Sequence, residues 1–282
     1  MTLIYIILGL AALAYLGLPL VIKSTLKINA RPSLNPLRAE LMPDPAQEYF
    51  AETRPKLREL GFEQAECFVM EPSVPNVKPH VTLWINRRTG QAVTANVLIV
   101  NVPGDKPPQI KKYVEFLTRL DDGRTILTNN SADLGAFKKT ASSDALSATR
   151  IHDIGQLYKL HLWRESALGA KSDTPRSLPA GGTELEWFAR GYEESIKRQI
   201  ETGYLEVLDA ECGLYGPSFQ GAYMMTWAEL PPMKSMRRSA EDKRADAQIR
   251  QAAAAGAIKP PANVRIVCDS APTSSGPTRR AA

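Results

Sequence analysis

The run HVTLWINRRTGQAVTANVLIVN, His80 to Asn101, changes character at every second residue. Val81, Leu83 and Ile85 alternate with Thr82, Trp84 and Asn86, and Val93, Ala95, Val97 and Ile99 repeat the pattern. A period of two is the signature of a half-buried β-strand, because successive side chains point to opposite faces. Thr89-Gly90 separates the two runs where a turn is needed. Downstream, Tyr113, Glu115 and Leu117 alternate with Val114, Phe116 and Thr118, and Asp122-Gly123 follows. Asp-Gly between strands is a hairpin signal, since both residues tolerate positive φ. Strands are therefore predicted at Cys67–Met70, His80–Arg87, Ala92–Asn101, Ile110–Leu120 and Arg124–Thr128. Together they make an antiparallel meander of about five strands, with residues 103–108 as a loop.

Helical periodicity lies on either side, so the fold class is α+β. Asp44-Pro45 reads as an N-cap followed by proline in the first turn. The helix it opens runs to about Leu60, stops at Gly61, and is expected to kink or divide at Pro55. Beyond the meander, a second helix is predicted from Ile151 to Ala167, then a Gly/Pro loop over 169–182. A third spans Thr183 to Thr202, with Leu185, Phe188, Tyr192, Ile196 and Ile200 as its apolar stripe. Tyr204–Glu211 reads as a further strand. Phe219–Met236 begins as a helix and is interrupted by Pro231-Pro232. A charged helix from Ser239 to about Ala255 and a Pro/Ser/Thr-rich disordered tail complete the chain. The globular domain is drawn at 44–238, after a basic, proline-containing linker at 23–43, with 239–282 as helix and tail.

Leu3 to Ile22 holds 20 residues without a charge, twelve of them Leu, Ile or Val. At about 1.5 Å per residue this run matches the hydrocarbon thickness of a bilayer, so it is predicted to be a transmembrane helix. A cleavable signal peptide fits less well, for no basic residue precedes the run and no small-x-small site follows it. Lys23, Lys27, Arg31 and Arg38 follow the run closely, and the positive-inside rule then places the C-terminal domain in the cytosol. Cys67, Cys212 and Cys268 are too few and too scattered for a disulfide framework. The net charge of +5 is unevenly spread: +3 over residues 23–42, +6 over 231–282 and −4 over the body between. That distribution argues against a nucleic-acid-binding domain. It suits contact with anionic headgroups, and Trp227, Lys234, Arg237 and Arg238 are candidates for the same membrane surface.

Catalytic chemistry finds no motif. His80, His152 and His161 lack metal-ligand spacing, and no cysteine has a nearby His or Cys, so neither a metal nor a cofactor is expected. Gly216 to Gly221 has the wrong spacing for a nucleophile elbow. No glycine-rich phosphate loop is present. Cys212 reads as a strand residue, Asp121-Asp122 as a turn, and His152-Asp153 as a helix start. Asn129, Asn130 and His152 remain as candidate ligand-binding residues, being polar groups near the end of the last strand. Asn129-Asn130-Ser131 also fits a glycosylation sequon, which has no meaning in the cytosol.

Two segments, Thr118–Asn130 and Tyr215–Lys234 with GAYMMTW (221–227) at its centre, resemble a group of uncharacterised bacterial membrane-anchored proteins. In that group a helix ending in Leu-Gly-Phe precedes a meander, as Leu60-Gly61-Phe62 does here. The resemblance implies the architecture and carries no activity. The expected function is a non-enzymatic binding or scaffold domain at the cytosolic membrane face, with a protein or lipid partner. An enzyme with a dispersed site near Asn129, Asn130 and His152 is one alternative, and an envelope component outside the cytoplasm is another.

Overall fold

The computed structural model describes Thr2, Ile4, Tyr5, Gly9 and residues 13–71, 76–101, 104, 107–135 and 137–259. Leu3, Ile6–Leu8 and Leu10–Ala12 of the predicted membrane run lie outside them, as do the predicted disordered tail from residue 260 and Cys268. Among the described residues, no helix is long and apolar enough to cross a membrane.

The chain is α+β. Its centre is a seven-stranded sheet: β2 (Leu34–Pro36), β3 (Glu63–Met70), β4 (Val77–Asn86), β5 (Gln91–Val100), β6 (Gln109–Arg119), β7 (Thr125–Asn129) and β8 (Ser143–Ser147). The strands lie in sequence order, each antiparallel to the last until β8, which runs parallel to β7. All five predicted strands are present. The two edge strands were not foreseen, because β2 and β8 are short and carry little alternation. Register follows the pattern in the sequence: Trp84 lies opposite Val93, and Val93 opposite Phe116. Gly90 and Gly123 take φ of +77° and +84° in the two predicted turns, where a β-carbon would strain the backbone.

Helices cover both faces of this sheet. On one face lie α2 (Asp44–Glu59), α3 (Ile154–Ala167) and α6 (Met233–Ala254), packing Phe50, Leu57, Leu157, Leu160, Ile249 and Ala252 against Val93, Ala95, Val97 and Phe116. Phe62, Phe116 and Tyr158 meet there with ring centroids 5.0–5.8 Å apart. On the other face α4 (Glu184–Glu201) packs Leu185, Trp187 and Phe188 over Val81, Leu83, Ile85, Ala92 and Leu117. The predicted half-buried strands are thus buried on both sides. Some of their polar members pair with one another: Trp84 Nε1 donates to Thr82 Oγ1 at 3.0 Å, and Asn96 Nδ2 to Thr94 Oγ1 at 2.8 Å, while His80 Nδ1 is buried without a partner among the described residues.

A small second sheet, β1 (Ile28–Asn29), β10 (Leu214–Pro217) and β9 (Leu205–Asp209), lies outside the first. Its core of Ile28, Tyr204, Leu205 and Met225 closes on Ile196 of α4, so α4 serves two cores. Two helical expectations change. α2 runs unbroken through Pro55, because the carbonyl that proline leaves unpaired, that of Ala51, is on an exposed turn open to water. The charged helix expected beyond the domain begins earlier, at Met233, and belongs to the core: Ala245, Ile249 and Ala252 are buried against the large sheet.

Candidate functional site

Pro19 shapes the surface that carries the exposed apolar side chains. Having no N–H, it leaves the carbonyl of Tyr15 without its helical partner and crowds it. The chain answers with a π-turn over Leu13–Gly17 before α1 (Leu18–Thr25) resumes. The freed Tyr15 carbonyl accepts a hydrogen bond from Trp227 Nε1 at 2.9 Å, and the Leu16 carbonyl one from Tyr223 Oη at 3.4 Å. Tyr15 Oη in turn bonds the Pro231 carbonyl. Tyr223 and Trp227 sit one turn apart on α5 (Phe219–Glu229), edge to face at 5.3 Å. α5 is seated by the Ser218 N-cap, which accepts from Gly221 N at 3.0 Å. Gly221 itself has room for no β-carbon, which would lie 1.9 Å from the Tyr204 carbonyl. From Phe219 to Ala228 no side chain is charged.

The outer surface of this pair of helices is apolar. Leu16, Leu18, Leu20 and Val21 from the N-terminal segment are exposed, and so are Phe219, Met224 and Trp227 of α5 and Met233 and Met236 at the start of α6. The last residues of the predicted membrane run pack beside α5, and both elements carry exposed apolar side chains. Exposed apolar area of this extent marks an interaction face.

The predicted basic residues distribute unequally around it. Lys23 stands 5.2 Å from the Phe219 ring and pairs with Glu206. Lys234 pairs with Glu229 at 2.9 Å beside the same face. Arg237 and Arg238 turn inward instead: Arg237 donates to the carbonyls of Ala228 and Gly135, each at 3.3 Å, and Arg238 to the Ala132 carbonyl and to Thr149 Oγ1. Between them and Leu134 an open cleft of about 510 Å³ reaches Pro231. Lys27 is exposed, Arg31 pairs with Glu186 of α4, and Arg38 is exposed just after the edge strand β2.

Asn129, Asn130 and His152 do not assemble. Asn129 donates to Glu115 Oε2 at 3.0 Å and accepts from Ser131 N at 3.1 Å, while Asn130 Oδ1 accepts from Val114 N at 2.9 Å. Both amides finish strand edges. His152 is exposed ahead of α3, where Asp153 caps the helix by accepting from Gln156 N at 2.7 Å. Burial pushes the Glu115 carboxyl upward, and the bond from Asn129 opposes it.

The structure assembles a buried polar chain that sequence reading missed. Thr118 of β6, Thr128 of β7 and His161, Arg164 and Glu165 of α3 are enclosed between sheet and helix. Thr118 Oγ1 donates to Glu165, so it accepts from His161 Nε2 at 3.0 Å. His161 Nδ1 then accepts from Thr128 Oγ1 at 2.8 Å, and Thr128 accepts from Arg164 Nη1 at 2.6 Å. With His161 neutral, as its burial favours, these bonds place the ring proton on Nε2. The ends are compensated: Gln91 Nε2 and Arg176 Nη2 reach Glu165 at 3.0 Å, and Asp144 holds Arg164. Burial lowers the His161 pKa, and Glu165 pulls the other way. Burial raises Glu165, but hydrogen bonds from His161, Thr118 and Gln91 outweigh it and hold the carboxyl below the usual range. A hydroxyl, an imidazole and a carboxylate in contact suggest acyl-transfer chemistry, but here hydroxyl and carboxylate share one ring nitrogen and all three are sealed from solvent. A nucleophile needs the base on its own side and a path for substrate. The chain is a core element.

Among the described residues no three His, Cys, Asp or Glu side chains gather to hold a metal ion. Comparison with protein-family models, with curated proteins and with solved structures finds no match to this chain.

Proposed function

We propose that the chain is a membrane-anchored, non-enzymatic binding domain, held by the first part of the Leu3–Ile22 run, with the last turns of that run and α5 resting in the bilayer interface. The observation that carries this is the joint apolar surface of the two helices, pinned where Trp227 caps the carbonyl freed by Pro19. Indole and phenol rings favour the bilayer interface, where one end of the ring is apolar and the other finds a polar partner. Tyr15 and Tyr223 stand beside Trp227 in that zone. Lys23 and Lys234 border these helices, each paired with a glutamate, Glu206 and Glu229. The basic residues after the run put the body on the cytosolic side.

Reconstitution into vesicles tests it. With brominated acyl chains, the fluorescence of Trp227 should be quenched, while Trp84, enclosed in the large core, should not respond. Variants retaining one tryptophan at a time separate the two signals. Quenching absent at Trp227 would place α5 away from the bilayer and remove the reading.

A further inference from the structure

Arg119 closes β6 on the face turned toward α4, the same face as Leu117. Its guanidinium lies against the Trp187 indole, with the central carbon 4.1 Å from the ring centroid, and Nη1 donates to the Trp187 carbonyl at 2.7 Å. One helical turn further on is Gly191. A β-carbon there would fall 1.7 Å from Arg119 Nη2, so only glycine lets the guanidinium lie flat on the helix backbone. One edge of the group is thereby committed. Arg119 also lines a cleft of about 460 Å³ between the 119–125 hairpin, the 177–183 loop and α4.

Among the described residues, no carboxylate forms an ion pair with Arg119, although acids line the same cleft. Glu186 is engaged by Arg31 and by Arg190, the latter at 3.6 Å, and Glu194 by Arg198 at 3.7 Å. Arg124 and Arg190 add two further guanidinium groups to the walls. Glu194 is the counter-charge that acts on Arg119 without a direct ion pair, so a cation stripped of much of its water keeps donor capacity that an anion in the cleft would use. Burial is also the main cause of a fall in the pKa of Arg119 to about 10. A planar guanidinium fixed by a ring on one side presents its remaining N–H groups as a fork, the geometry that carboxylate and phosphate oxygens accept.

We propose that this cleft is a binding site for a small oxyanion, a carboxylate or a phosphate, held by Arg119 with Arg190 as the second cation. It gives the binding role a ligand class and rests on the cleft alone, so failure of the membrane reading would leave it standing.

The test is a titration of the full-length protein in nonionic detergent with inorganic phosphate and with succinate, against chloride at constant ionic strength. Tryptophan fluorescence and melting temperature are the readouts. Saturable binding by one oxyanion, with a rise in melting temperature, is expected, and which one binds identifies the phosphoryl or the carboxylate class. Arg119→Lys keeps the charge and loses the fork, so affinity should fall about tenfold or more. Arg190→Gln leaves the Trp187 stack intact and should also weaken binding while the protein stays folded. If neither anion acts differently from chloride, or if both variants bind as the parent does, Arg119 is only a strut between β6 and α4 and the proposal is overturned.

Discussion

Thr118 has one proton to give, and Glu165 takes it; that choice fixes every later donor up to Arg164. Replacing Thr118 by Val keeps the shape, removes one donor to Glu165 and leaves Glu165, at 3.3 Å, as the remaining acceptor of His161 Nε2–H. The expected loss is about 1–3 kcal/mol of stability, read from denaturant midpoints. The same burial makes the fold refuse a proton at His161. The unfolded chain binds one as pH falls below about 6.5. Stability should therefore be greatest above that value and decline through mild acid, until the lowered folded pKa is crossed. Glu165 adds a second, more acid step, because its lowered pKa gives stability that is lost only as pH falls through the folded value. In His161→Gln the decline between pH 7 and 5.5 should be shallower than in the parent, measured by urea denaturation. An equal slope would mean that His161 is already charged in the fold. None of this chain was legible in the sequence. Thr118, Thr128 and His161 are 10 and 33 residues apart in succession, and only strand register and the orientation of α3 bring them together.

At the scale of elements, local pattern carried most of the information. The alternation at Val81–Asn86 and Val93–Ile99 set the meander and its register, and Asp122-Gly123 set its hairpin. The edge strands β2 and β8 escaped because three and five residues are too few for a period to show. Proline misled once. Pro55 was expected to kink or divide α2, yet the helix is not divided, and Phe50 and Thr53 before the proline and Leu57 after it are all buried. The helix tolerates the missing bond and bears its cost. Pro55→Ala should accordingly raise stability by about 1–3 kcal/mol, seen as a higher denaturation midpoint with unchanged slope. No gain would mean that the free Ala51 carbonyl is fully compensated by water. The charged helix was expected outside the domain, from Ser239, because its apolar residues are few, but Ala245, Ile249 and Ala252 are buried in the core with the large sheet.

For the whole molecule, α4 joins a large sheet domain to the small sheet, and the small sheet carries α1 and α5. The apolar surface and the N-terminal segment are thus on one side of the small sheet. Charge asymmetry along the sequence pointed to the flanks, and the structure divides that basic set: Lys23 and Lys234 border the apolar surface, whereas Arg237 and Arg238 hold the 132–135 loop. The candidate ligand residues Asn129 and Asn130 were polar for strand-edge reasons, and Arg119, which lines the cleft without a direct ion pair, gave no sign in a sequence with many arginines. Its partners Trp187 and Gly191 are far along the chain and meet it only after α4 crosses the sheet.

Protease protection on intact spheroplasts carrying the full chain tests the central claim most directly. A C-terminal epitope follows the domain. The account predicts that external protease leaves the domain whole until the membrane is breached, and that the protein sediments with membranes throughout. Immediate digestion of the domain from outside, or its recovery in the soluble fraction, would contradict it.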